Sequence, residues 1–204
     1  MVSFSRVLIP LSLGADAVRL VILGGAGAGK GTQAIQLSTH LNVPGIATGD
    51  ILRMAIASNT PLGTQARPYV EKGELVPDEL MIEFMRQRLL MPDVTNGWVL
   101  DGYPRTAFQA EELDFLLEEL EQHLDWAIWL HVPKSVLMSR SLARSRQDDQ
   151  QDIVQRRIQV FQERTIPIME YYEHRQRLLT INGNQSPEQV KQDIMQKLNQ
   201  TKSH

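Results

Sequence analysis

Short apolar runs alternate with longer amphipathic stretches along most of the chain. The short runs have the length and composition of buried parallel strands, and the longer stretches repeat their apolar positions every three or four residues, as helices do. Strands are predicted at 18–23, 45–46, 98–101, 126–132 and 178–181. Helices are predicted at 31–41, 50–57, 62–72, 77–90, 108–121, 134–143, 149–172 and 187–198. The alternation predicts an α/β fold in which helices cover both faces of a parallel sheet.

Composition limits what such a fold binds. The 204 residues suffice for one domain, and a net charge of −3 creates no general field that attracts polyanions, so any phosphate site is local and nucleic acid is not an expected partner. The absence of cysteine excludes disulfides and a thiolate zinc site and is compatible with a reducing cytoplasm. No apolar stretch reaches the roughly 20 residues that a membrane span requires.

The first 17 residues are interpreted as an extension that precedes the domain. A secretory leader is the alternative, because Arg6 precedes the apolar run 7–11 and small residues follow at 15–17. Pro10 and Gly14 interrupt that pattern, and the positive region is a single arginine.

A glycine-rich segment, GGAGAGKGTQ at 24–33, follows the first predicted strand and opens the first predicted helix. Glycines let several backbone N–H groups point into one concavity, and the helix adds its positive N-terminal end, so this segment is typical of a phosphate-binding loop. Lys30 is predicted to reach the outer phosphates and Thr32 a magnesium ion, although Gly31 stands where the commonest form of the motif has Ser or Thr. The alternative, a turn that packs a strand tightly on a helix, gives no role to Lys30.

Asp101 ends the predicted strand 98–101. On its own such a carboxylate is a common helix cap or turn residue. Beside Lys30 and Thr32 it is predicted to face magnesium through water, as carboxylates after a strand do in phosphate-binding loop proteins.

Taken in order, five motifs resemble those of the adenylate kinases, a family of nucleoside monophosphate kinases. They are GGAGAGKGTQ, ATGDILR at 47–53, GELVPDEL at 73–80, DGYPRT at 101–106 with Gln109, and RSRQDD at 144–149 with Arg157. The resemblance runs from Val18 to about Ile194. It implies a P-loop fold of three layers, α/β/α, around a five-stranded parallel sheet. It also implies a domain at 18–204 with a helical AMP-binding lobe at 47–76 and a short lid at 143–149.

The implied reaction is reversible transfer of the terminal phosphoryl group of MgATP to AMP, giving two ADP, in adenine nucleotide homeostasis and AMP salvage. The implied catalytic residues are Lys30, Arg105, Arg144, Arg146 and Arg157. The implied ATP-binding residues are Gly27, Ala28, Gly29, Lys30, Gly31, Thr32, Arg144 and Gln185. The implied AMP-binding residues are Thr48, Arg53, Glu74, Leu75, Val76, Gly102, Tyr103, Pro104, Arg105, Gln109, Arg146 and Arg157. Magnesium is the implied cofactor, held by Thr32 and, through water, by Asp101. The expected protein is a cytoplasmic monomer whose partners are ATP, AMP and ADP.

Thr48 and Gln109 favour AMP as the acceptor, because they stand where the family reads adenine and an amide can both donate to and accept from its edge. Uridylate/cytidylate kinases are the rival within the enzymes; they usually carry Ala in place of Thr48. A regulator that kept the fold and lost turnover is the second rival, and it should lack Lys30 or the lid arginines. Ala26 and Ala143 replace the Pro and Gly usual in the family, which puts loop order and lid motion in question.

Overall fold

The computed structural model describes residues 17–144 and 150–201, and within them five strands form one sheet. The strands are β1 Val18–Leu23, β2 Gly45–Ala47, β3 Gly97–Asp101, β4 Trp126–His131 and β5 Leu178–Asn182. They pair in parallel in the order β2-β3-β1-β4-β5. The predicted α/β fold with a five-stranded parallel sheet is confirmed.

Helices connect the strands and cover the sheet. They are α1 Lys30–Leu41, α2 Thr48–Ala57, α3 Pro61–Glu71, α4 Asp78–Leu89, α5 Ala107–Glu119, α6 Lys134–Ala143, α7 Gln151–Val160, α8 Pro167–His174 and α9 Pro187–Thr201. A short 3₁₀ turn, Pro92–Val94, leads into β3. Among the described helices, none is long and apolar enough to cross a membrane.

The sheet divides the apolar core into two layers because side chains alternate along each strand. In β1, Val21 and Leu23 pack with α4, α5 and α8 on one face, and Leu20 and Ile22 pack with α1, α6 and α9 on the other. A strand buried on both faces must be apolar throughout, which explains why β1 reads as an uninterrupted hydrophobic run.

The predicted helix 149–172 is wrong in one respect: it is not a regular α-helix throughout. A π-helical segment, Phe161–Thr165, separates α7 from α8. Pro167 has no N–H to donate to the carbonyl four residues back, and Ile166 N donates instead to Phe161 O, five residues back, at 3.0 Å. Pro167 causes this change in the helix, and the spacing of apolar residues, from which the helix was predicted, gives no sign of it.

The carboxyl ends of the central strands meet at one edge of the sheet. Ile22 of β1 lies beside Asp101 of β3, so the glycine-rich segment after β1 and the loop after β3 start side by side. β3 and β4 flank β1 on opposite sides, and ligands bind parallel sheets at such a switch in strand order. Gly97 allows the close β1–β3 approach at the other end, since a Cβ there would lie 2.2 Å from Val18 O.

The segment between β2 and α4 folds mainly into the helical pair α2 and α3. The pair packs closely because Gly63 has no side chain, and a Cβ there would lie 2.1 Å from Ala55 O. Thr60 begins α3 by accepting a hydrogen bond from Gly63 N at 3.1 Å. The assignment of 47–76 as a separate lobe remains a prediction.

Candidate functional site

A cleft with a volume of about 840 Å³ opens at the carboxyl ends of β1, β2 and β3. The glycine-rich segment forms one wall, and the start of α2 with the segment 73–76 forms another. The loop after β3 forms the floor, and residues of α6, α7 and the π-helical segment also line it. This volume is at the upper end of the range for small-molecule sites, about 300–1,000 Å³.

The glycine-rich segment forms a cradle at the N-terminus of α1. Gly27 has φ 81°, and a Cβ there would lie 2.5 Å from Leu137 O, so this position requires glycine. Gly29, with φ 94°, precedes the first helical residue. Lys30 Nζ donates to Gly25 O at 3.1 Å, which places the ammonium group over the loop. Backbone donors, the helix N-terminus and a lysine together favour an anion here.

The carboxylate of Asp101 lies next to this cradle. Its Oδ2 is 3.3 Å from the place where a Cβ on Gly31 would stand, so glycine at position 31 leaves room for the carboxylate. Thr32 is exposed at the start of α1 and lines the same cleft. Among the described residues, no group of three or more His, Cys, Asp or Glu could hold a metal by itself. One carboxylate and one hydroxyl fit magnesium, which is usually bound by one or two protein oxygens together with substrate phosphates.

Arg105 is fixed to the floor of the cleft by three hydrogen bonds. Its backbone N donates to Gln109 Oε1 at 2.8 Å, and its side-chain Nε donates to Gly102 O at 2.7 Å. Its backbone carbonyl accepts a hydrogen bond from Thr165 Oγ1 at 2.8 Å. The guanidinium therefore extends from a backbone that is held on both sides.

The charges around Arg105 are mostly of its own sign. Burial is the main cause that lowers the pKa of the Arg105 guanidinium; Asp101 raises this pKa, and the nearby guanidiniums of Arg157 and Arg53 lower it. An arginine stays protonated at neutral pH despite such a shift, so its charge is retained at a cost in free energy. A bound phosphate would relieve both the repulsion and the lost hydration.

The other predicted arginines that the structure describes lie around the same space. Arg53 on α2 forms an ion pair with Asp50. Arg157 on α7 packs behind the segment 73–76, with its Cγ 3.4 Å from the position of a Cβ on Gly73. Arg144 is exposed at the end of α6 and lines the cleft. Arg146 lies outside the described residues.

Comparison with known proteins identifies the family. A model of the family described as "Adenylate kinase" matches residues 22–177, well over half of the chain. The chain belongs to the adenylate kinase family. A protein named "Adenylate kinase 2" from Nostoc sp. is 63% identical over 181 residues, which are 89% of this chain and 98% of that protein. A namesake from Synechocystis sp. is 53% identical over 89% of this chain and its own full length. An "Adenylate kinase" from Acetivibrio thermocellus is 37% identical over 91% of this chain and its own full length. As an adenylate kinase family member, the chain is a phosphotransferase of the reaction ATP + AMP = 2 ADP.

The residues expected to read adenine lie in the cleft wall, and their polar atoms have protein partners. Gln109 is 2% exposed; its Nε2 donates to Asp78 Oδ1 at 2.8 Å while its Oε1 accepts from the Arg105 backbone. Because a carboxylate can only accept and a backbone N–H can only donate, these two bonds fix the orientation of the amide. Thr48 is buried and donates to Asp101 O at 3.1 Å.

Most of the residues that the adenylate kinase resemblance implies lie together in this cleft. The described ones that line it are Gly27, Ala28, Gly29, Lys30, Gly31, Thr32, Thr48, Arg53, Glu74, Leu75, Val76, Asp101, Gly102, Pro104, Arg105, Gln109, Arg144, Arg157 and Gln185. Tyr103 differs, because its ring is buried behind the cleft and its OH donates to Gln109 O at 3.2 Å. Glu74 also pairs with Arg156 on α7 at 2.7 Å.

The cleft also contains residues that were not expected from the sequence, among them Arg140 and Thr165. Arg140 lines it and donates from Nη1 to Gly183 O at 2.9 Å. Its spacing of one helical turn from Arg144 is a signal that could have identified it. Thr165 reaches the cleft from the π-helical segment, and the sequence carries no local signal for that contact.

Proposed function

We propose that this chain transfers the terminal phosphoryl group of MgATP to AMP in the cleft described above. One observation supports the proposal most directly. The same cleft is lined by Lys30, on a loop typical of phosphate binding, by Asp101, and by the guanidinium groups of Arg105 and its neighbours. Two polyanions that must meet end to end need positive charge at their junction, and this is where the cleft gathers it.

The two ends of the cleft suit different nucleotides. The ATP phosphates are assigned to Gly27, Ala28, Gly29, Gly31, Thr32 and Lys30, and Arg144 and Gln185 belong to the same side. AMP is assigned to the wall opposite, where Arg53 and Arg105 hold its phosphate and Glu74, Leu75 and Val76 line the nucleotide. Gly102 and Pro104 form the adjacent floor, and Tyr103 supports it from behind.

Catalysis in this arrangement is a matter of placement and charge. The attacking phosphate oxygen of AMP is already largely ionised at neutral pH, so the site needs no general base. Lys30, Arg105 and Arg157 would hold donor and acceptor in line and balance the charge that spreads over the transferring group. The paired N–H donors of each guanidinium can bind two phosphate oxygens at once. Magnesium, held by Thr32 and through water by Asp101, would neutralise charge on the phosphates of ATP when bound.

Selectivity for AMP is assigned to Gln109 and Thr48. The fixed amide of Gln109 keeps one Nε2 hydrogen and one Oε1 lone pair beyond its two protein bonds, which matches a base edge that both accepts and donates. A site built around polar contacts rejects bases that leave those contacts unpaired.

The segments 47–76 and 143–149 are proposed to move as an AMP-binding lobe and a short lid. Closure would bring Arg144 and Arg146 over the transferring group and exclude water, which suppresses hydrolysis of ATP. An enzyme that opens and closes around small substrates needs no partner subunit, so we assign the protein as a monomer. We assign it to the cytoplasm, where adenine nucleotides are interconverted.

The test is a coupled assay of the purified protein with MgATP and, separately, AMP, GMP, CMP and UMP. The proposal expects ADP formation with AMP at a kcat/KM at least about tenfold above that of every other acceptor. A preference for CMP or UMP would contradict the proposed acceptor. Tight binding of both nucleotides without turnover would contradict the enzymatic function itself.

A further inference from the structure

A hydrogen bond joins two parts of the cleft that are 60 residues apart in the chain. Thr165 Oγ1 donates to the backbone carbonyl of Arg105 at 2.8 Å. The Thr165 side chain is 5% exposed, so little water competes for this bond.

The other hydrogen bonds of Arg105 keep its loop attached to its own neighbourhood. The backbone N reaches Gln109 on α5, and the guanidinium Nε reaches Gly102 at the start of the same loop. Neither bond connects the loop of Arg105 to α7, the helix that carries Arg157. The Thr165 bond does so, because Thr165 ends the π-helical segment that continues α7.

Arg157 and Thr165 belong to one continuous helical unit. Val154 and Ile158 are buried one helical turn apart in α7, and Thr165 is buried in the π-helical segment that follows. Arg157 is next to Ile158 in the chain. π-helical segments are frequent at functional sites, where they change the direction of a side chain within a helix. Here the segment ends at the residue that contacts the Arg105 backbone.

The charges near Arg105 suggest a role for the hydrogen bond from Thr165. Arg157 lowers the pKa of Arg105, so the two guanidiniums repel each other, while Asp101 attracts Arg105. The repulsion acts to separate the loop from the helix, and the Thr165 hydrogen bond opposes that separation. Displacement of a reacting or binding group by about 1 Å can cost about 100-fold in rate.

We propose that Thr165 is a positioning residue: its hydroxyl holds the Arg105 backbone against the helix of Arg157, so that both guanidiniums meet the same phosphoryl group. The inference rests on the proposed function, since it concerns how the phosphate-binding arginines are spaced. Thr165 itself does not touch the nucleotides in this account.

The experiment compares Thr165→Val, which keeps the shape and removes the hydroxyl, with Thr165→Ser, which keeps the hydroxyl. Thr95→Val is the matched control, because Thr95 Oγ1 also donates to a backbone carbonyl at 2.8 Å, that of Pro92, away from the cleft. The measurements are kcat, the KM values for AMP and ATP, and the thermal unfolding temperature. Should Thr165→Val not fold, Thr165→Ala takes its place.

Thr165→Val is expected to lower kcat/KM for AMP by about ten- to 100-fold, with the KM for ATP within about twofold of the original value. Thr165→Ser is expected to restore kcat/KM to within about threefold, and Thr95→Val to leave the kinetics unchanged. In an Arg157→Met background, Thr165→Val should cost much less, because the second guanidinium to be aligned is gone.

Equal kinetics for Thr165→Val and the original protein would overturn the inference. So would a Thr165→Ser variant as impaired as Thr165→Val, or a rise in the KM for ATP as large as that for AMP. In each of these cases the original protein still converts ATP and AMP to ADP, so the proposed function stands. Absence of that activity in the original protein would instead contradict the proposed function.

Discussion

The arginines around α4 and Arg105 in the cleft lie in different surroundings. On the outer surface around α4, Arg86 donates to Glu119 at 2.8 Å, and Arg88 binds both carboxylate oxygens of Asp93 at 2.9 and 2.7 Å. In the cleft, the neighbours of Arg105 include two further guanidiniums, opposed by the carboxylate of Asp101. Arg86 and Arg88 each have a carboxylate as hydrogen-bond partner, whereas Arg105 is buried beside charges of both signs.

The pKa shifts favour the charged forms on the outer surface and disfavour the charged form of Arg105 in the cleft. The hydrogen bond from Arg86 to Glu119 raises the pKa of Arg86, and the hydrogen bonds from Arg88 lower the pKa of Asp93, so both pairs favour their charged forms. Burial and like charges lower the pKa of Arg105. The outer pairs add a little to stability, whereas the cleft arrangement costs stability until an anion binds.

The largest expected effect comes from removing the ammonium group of the cleft. Lys30→Met should lower kcat by about 1,000-fold or more while the fold stays intact, because it deletes the principal cation at the ATP phosphates. Lys197→Met is the matched control: Lys197 Nζ donates to Thr180 O at 2.8 Å, a bond of the same kind outside the cleft. The coupled assay and circular dichroism measure both properties. Near-normal turnover in Lys30→Met would contradict the role of the loop.

Arg105→Met separates activity from stability. We expect kcat/KM for AMP to fall by about 100-fold or more, because a charged donor to the phosphate is lost. The free energy of unfolding without nucleotide should change by less than about 1 kcal/mol or rise, since a repelled and dehydrated charge is removed. Kinetics and denaturant unfolding test the two parts. A variant destabilised by clearly more than about 1 kcal/mol would mean that Arg105 mainly stabilises the fold.

Gln109→Ala tests selectivity. The ratio of kcat/KM for AMP to that for CMP should fall by about ten- to 100-fold, because the fixed amide no longer contacts the base. Gln87→Ala is the control, since Gln87 Nε2 also donates to a carboxylate, Glu83 Oε1 at 2.7 Å, on the outer face of α4. An unchanged ratio in Gln109→Ala would exclude this amide as the reader of adenine.

The smallest effect is expected on the outer surface. Arg88→Ala should lower the free energy of unfolding by less than about 1 kcal/mol at neutral pH and leave the kinetics unchanged, because Asp93 is half exposed. Arg88 lowers the pKa of Asp93, so this contribution is present above the ordinary Asp pKa of about 4 and is lost as pH falls through the lowered value. Denaturant unfolding at neutral and acidic pH measures it. A difference that grows on acidification would have the wrong sign.

The sequence predicted those features that depend on neighbouring residues. Each predicted strand lies within one residue of the observed strand at both ends, since five apolar runs bounded by polar or glycine residues leave little choice. The cradle before Lys30 was predictable because the glycines and the lysine carry its chemistry themselves. The pairing of Ile22 with Asp101 then followed from a parallel sheet that brings strand ends together.

Features that depend on contacts distant in sequence were not predictable. The π-helical segment replaced part of a predicted continuous helix, since a proline outweighed an unbroken apolar periodicity. The contact of Thr165 with the Arg105 carbonyl joins residues far apart in the chain, and nothing beside either residue indicates the other. The burial of Tyr103 behind the cleft likewise follows from packing against α5 and α8, which a motif does not encode.

A crystal structure with two adenosines joined by a five-phosphate chain tests the central claim most directly. This ligand spans both nucleotide positions at once. We expect the phosphate chain to lie between Lys30 and the pair Arg105 and Arg157, with one adenosine against Gln109 and the other beyond the glycine-rich segment. A phosphate chain bound elsewhere, with those three cations not in contact with it, would contradict the proposed function.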